Sequence, residues 1–81
     1  MRIDDYLSTV GAVKRRTVAK DLASAGQIAV NGRTVKAAYQ VQQRDIITIK
    51  GVRGRTIEVL ALPTGSVPKE RRSEYFKELP A

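Results

Sequence analysis

Near Gly26 the apolar residues change their period, and no single element can hold both patterns. Before it, Ile3, Leu7 and Val10 recur at i, i+4 and i+7, and Val18, Leu22 and Ala25 form a second stripe of helical spacing. Each set lines one face of a helix. After it, Ile28 and Val30 alternate with Gln27 and Ala29, which is strand spacing, and Asn31-Gly32 follows at once. Asn-Gly after an alternating run marks a two-residue hairpin, because a type I′ turn needs positive φ at both central positions. Such a turn sets Val30 opposite Arg33 and Ile28 opposite Val35. Two helices therefore feed a sheet.

The flanking residues agree with that order. Asp4 and Asp5 suit the first turn of the first helix and Gly11 its end, while Tyr6 beside the stripe belongs to the core. Thr17 is the expected N-cap of the second helix and Gly26 its C′ residue. Asp45 to Lys50 reads as a strand, Gly51-Val-Arg-Gly54 as a turn, and Arg55 to Leu62 as the antiparallel partner. Pro63-Thr-Gly-Ser66 breaks the sheet. Pro68 is expected to open a last helix running to about Leu79, with Tyr75, Phe76 and Leu79 covering the sheet. The fold class is α+β: two N-terminal helices packed on a small, mostly antiparallel sheet, plus a C-terminal helix. The division is a domain over 1–62, then a linker and C-terminal helix over 63–81.

Chemistry is narrowed by what the 81 residues lack. There is no cysteine and no histidine, so no disulfide, metal site or cofactor is expected, and the commonest general base is missing. The carboxylates of the basic half are scattered; Asp4 and Asp5 are adjacent, and adjacent helical residues do not face one another. No enzymatic activity is expected. No apolar run approaches the roughly 18 residues that cross a bilayer, and MRIDDYL lacks the order of a signal peptide. The expectation is a cytoplasmic protein without a membrane partner.

Charge is more informative. Fifteen Lys and Arg against eight Asp and Glu give +7. Residues 1–55 hold eleven basic and four acidic side chains, whereas residues 56–81 hold four of each. Segregated basic charge is the electrostatic footprint of a nucleic-acid partner. Lys14, Arg15 and Arg16 also stand just before the second helix, where the helix dipole repels cations. The same place attracts phosphate, through unpaired N–H groups and the dipole. Arginine forks match phosphate oxygens bidentately, and Lys20, at i+4 from Arg16, extends the face by one turn. A phosphate backbone resolves the conflict.

The order MRIDDYL, VKRRTVAKDLASAGQIAVNG, the hairpin VNGRTVK and then DIITI resembles the RNA-binding domain first seen in small-subunit ribosomal protein S-four, over about residues 1–50. In its shortness the chain is most similar to the stand-alone bacterial members, of the ribosome quality-control and heat-shock types. The resemblance implies the αL motif, with helices and hairpin grasping structured RNA. It places RNA contacts on Arg2, Lys14, Arg15, Arg16, Lys20, Asn31, Gly32, Arg33 and Lys36. It implies large-subunit ribosomal RNA and peptidyl-tRNA as partners, alongside other quality-control factors, in rescue of stalled nascent chains and their C-terminal tailing. A monomer is expected. Two positions depart from the family: Asp5 stands where lysine is common, and Gln43-Arg44-Asp45 replaces a Pro-Gly-Asp turn. The lack of a long basic tail favours the quality-control type over heat-shock recycling of nascent-chain-carrying subunits. A ribosome assembly or structural RNA-binding role stays open. A DNA-reading helix–turn–helix over Gly11–Lys14 fits less well, because helix 17–25 offers few base-reading side chains.

Overall fold

Ile3, Tyr6 and Leu7 point to one side of helix α1 (Ile3–Thr9) and are fully buried, as is Val10 at its C-cap. The computed structural model describes residues 1–51 and 54–80. Burying each such side chain contributes roughly 1.5–3 kcal/mol, so this short helix is held by its stripe rather than by its length. Gly11 follows with φ +79° and turns the chain, and the Val13 N–H returns to the Leu7 carbonyl at 3.0 Å.

Helix α2 (Arg16–Ser24) starts two residues earlier than an N-cap at Thr17 would place it. Its N-cap is Arg15 in extended conformation, without a side-chain cap, so Thr17 is a second-position residue and caps nothing. The buried stripe is rotated too. Ala19 and Ala23 are buried with Leu22 partly so, while Val18 is 43% exposed. The expected Val18, Leu22, Ala25 stripe is therefore corrected. Alanines leave room for α2 to lie close against α1, and close packing outweighs the larger apolar area of a valine.

The sheet follows. Strand β1 (Ile28–Val30) is buried along its length and turns through Asn31 (φ 52°) and Gly32 (φ 85°) into β2 (Arg33–Thr34). Val30 pairs with Arg33, the expected register. Strands β3 (Ile46–Ile49) and β4 (Arg55–Val59) bury Ile47, Ile49, Ile57 and Val59 against the helices. β4 stops three residues short of the expected Leu62. Of the expected 51–54 turn, Val52 and Arg53 lie outside the described residues. The turn before β3, which departs from Pro-Gly-Asp, puts Arg44 at φ +75°, where glycine would sit without strain.

The C-terminal helix is a correction. Lys69–Glu74 form a 3-10 helix, and Phe76–Leu79 form strand β5, antiparallel to β4 with Val59 opposite Phe76. Lys, Glu and Arg favour helix locally. Tertiary structure decides otherwise, because the open edge of β4 offers a row of unpaired N–H and C=O groups. Tyr75 and Phe76 still pack against the core, as the apolar pattern suggested. The sheet order is β2-β1-β3-β4-β5, antiparallel throughout. No described helix is long and apolar enough to cross a membrane.

Candidate nucleic-acid interface

Asp4 organises the basic side chains around it. Its side chain is 1% exposed and sits between two arginines. Arg2 Nε donates to Oδ1 at 3.1 Å and Arg2 Nη2 to Oδ2 at 3.0 Å. Arg16 Nε lies 3.6 Å from Oδ2, and the Asp5 N–H donates to Oδ1 at 2.7 Å. Burial on its own would raise the pKa of this carboxyl. The Arg2 hydrogen bonds, the Asp5 N–H and the two guanidinium charges outweigh it and hold the pKa below the ordinary carboxylate value. Asp4 thus carries the negative charge that the first turn of α2 lacks. The repulsion at that helix start is offset inside the protein, across the α1–α2 contact.

Neither arginine is used up by the clamp. Arg2 stays 41% exposed and Arg16 52%, and each guanidinium has five donors. Arg2 then meets Lys20 of α2 and Lys36, which follows β2, along one open groove floored by Ala23, Val35 and Ala37. Four expected contact residues, Arg2, Arg16, Lys20 and Lys36, are therefore joined through Asp4 and this groove. Val35 is shared with a second pocket beside the hairpin, which Asn31 and Arg33 line. Lys14 and Arg15 are exposed on the α1–α2 link. They form no ion pair or side-chain hydrogen bond among the described residues.

Asn31 works mainly within the fold. Its Oδ1 accepts from the Ile46 N–H at 3.0 Å and its Nδ2 donates to Asp45 at 3.2 Å. Gly32 supplies the second left-handed residue of the turn, and so aims Arg33.

Sequence reasoning missed the two buried carboxylates. The sequence marks Asp4 only as a dipole partner for its own helix, and its partner Arg16 is twelve positions away. Asp45, 8% exposed, receives Tyr39 Oη–H, Asn31 Nδ2–H and the Gln42 N–H. Two arginines outside the expected set also hold the corner that carries Lys14–Arg16. Arg55 of β4 donates to the Ala12 carbonyl and pairs with Glu78 of β5. Arg72 packs over Gly11.

Residues 1–47 match the S4 domain. A Helicobacter pylori (strain J99) protein named RQC P-site tRNA stabilizing factor is 36% identical over 78 residues, covering 94% of this chain and 93% of that one. A Bacillus subtilis protein of the same name is 34% identical over 76 residues, covering 93% and 88%. The trimeric structure of Vibrio cholerae heat shock protein 15 superposes with a TM-score of 0.88 at 21% identity, over 98% of this chain and 81% of that one.

Proposed function

The chain belongs to the S4 domain family, and from that premise we propose that it is a non-enzymatic RNA-binding factor of ribosome-associated quality control. It binds large-subunit ribosomal RNA and steadies a peptidyl-tRNA while an obstructed nascent chain is tailed. The observation that carries the reading is the clamp on Asp4. It presents two half-exposed arginines at the uncapped start of α2, beside a groove with Lys20 and Lys36. Such a surface offers forked donors, point charges and helix N–H groups to phosphates, and shape and backbone contacts dominate recognition of structured RNA. The relatives named RQC P-site tRNA stabilizing factor support the choice of partner.

Lys20→Glu tests it. The residue is exposed and has no ion-pair partner among the described residues, so the fold should melt as wild type does. Co-sedimentation with large ribosomal subunits should fall at least tenfold, since a cation facing phosphate becomes an anion. Lys69→Glu, at the start of the 3-10 helix, should co-sediment as wild type. Equal behaviour of the two variants would remove the groove as the contact surface.

A further inference from the structure

We propose that the pocket between the β1–β2 turn and Tyr39 takes one unpaired RNA base, stacked on the Tyr39 ring. The inference rests on the RNA-binding reading above and adds a site to it. The pocket is lined by Val30, Asn31, Arg33, Val35 and Tyr39. It adjoins the Arg2–Lys20–Lys36 groove through Val35, so a strand lying on the basic face reaches it without leaving the protein.

Its chemistry suits a nucleobase better than a phosphate. Two valines give an apolar floor, and the half-buried Tyr39 gives an aromatic wall. That wall is fixed at both ends. The Tyr39 carbonyl accepts from the Ile3 N–H at 2.8 Å, and its hydroxyl donates to Asp45 Oδ2 at 3.2 Å. Asp45 is held in turn by the Gln42 N–H at 2.9 Å and by Asn31. A ring held this way loses little freedom when a base stacks on it. Asn31 Nδ2 gives one hydrogen to Asp45 and keeps a second for a base acceptor. Arg33, exposed and without an ion-pair partner among the described residues, can reach the phosphate of the same nucleotide. Bases inside an RNA duplex are stacked and covered, whereas those in loops and bulges can be splayed out onto aromatic side chains. The pocket therefore selects for an unpaired nucleotide next to a helix.

The test compares a perfect RNA duplex with the same duplex carrying a single bulged adenosine, by fluorescence anisotropy. Wild type should bind both and prefer the bulged RNA by about tenfold, the usual range for one base–aromatic stack. Tyr39→Ala should abolish that preference while leaving the duplex affinity unchanged, which also reports that the variant is folded. Tyr39→Phe, which keeps the ring and loses the hydroxyl, should retain most of it. No preference in wild type, or an equal loss for both RNAs in Tyr39→Ala, overturns the base pocket and leaves the phosphate surface standing. Failure of wild type to bind either RNA overturns the RNA reading, and the pocket with it.

Discussion

Arg16 illustrates how a single contact reverses a conclusion drawn from the sequence. On dipole grounds alone, replacing it with glutamate would favour the start of α2. In the structure the new carboxylate would stand beside buried Asp4 and remove one of its two cations, so the exchange should destabilise the fold. Lys20 is for that reason the cleaner probe of RNA binding. The clamp itself has a pH signature. Asp4 is more acidic folded than unfolded, so its stabilisation is present above the unfolded pKa of about 4 and is lost as pH falls through the lower, folded value. Asp4→Asn should cost about 1.5–3 kcal/mol in urea unfolding at pH 7, the range for hydrogen bonds to a charged group. The gap to wild type should narrow as the pH is lowered through the folded value of Asp4, and a constant gap would assign Asp4 a packing role only. The basic residues of the candidate site are legible as a cluster because charge and spacing are written in the chain. The carboxylate that anchors two of them is not, because Asp4 meets Arg16 across the helix contact, and Asp45 likewise meets Asn31 and Tyr39 only through the fold.

Elements were legible in proportion to how local their signals are. The α1 stripe and the Asn31-Gly32 turn depend on neighbours a few residues apart, and both stand as expected. The α2 stripe was misplaced because Ala19 and Ala23 look weakly apolar, although small size is what the helix contact requires. The last element was misjudged because β4, which captures it, lies some twenty residues earlier. Two proline substitutions separate a strand from a helix there. The Leu60 N–H bonds the Tyr75 carbonyl. By alternation the next hydrogen-bonded pair is Glu58 with Lys77, and the Glu78 N–H faces away from β4. Lys77→Pro removes a ladder bond and should cost roughly 2–3 kcal/mol. Glu78→Pro should cost less than half as much, since it forfeits an exposed ion pair with Arg55. Similar losses in thermal melts would contradict the strand.

Across the whole molecule, charge and architecture divide the work between two halves. The basic half forms α1, α2, the hairpin and β3, and the charge-neutral half supplies most of β4 and all of β5; Arg55, where the two halves meet, and Arg72 brace the corner between the helices. If the basic half contacts about five phosphates, the logarithm of the RNA affinity should fall with that of salt at a slope of about −3.5 to −4.5. A flat response in a titration from low to moderate salt would mean that binding does not run through these cations. The brace is invisible in composition, because Arg55 and Arg72 meet Ala12 and Gly11 only through the fold. The direction of the β5 backbone has a consequence for how copies of the chain treat one another. Phe76 and Glu78 present their N–H and C=O groups to the open edge, so two β5 strands meeting antiparallel about a two-fold axis must centre on one residue. Centring on Lys77 sets lysine against lysine, and centring on Glu78 sets glutamate against glutamate. Each of these two registers sets like charges directly opposite one another and is disfavoured. Neutral threonines at both positions should remove that repulsion, and the sedimentation coefficient should then climb more steeply with loading than that of the wild type.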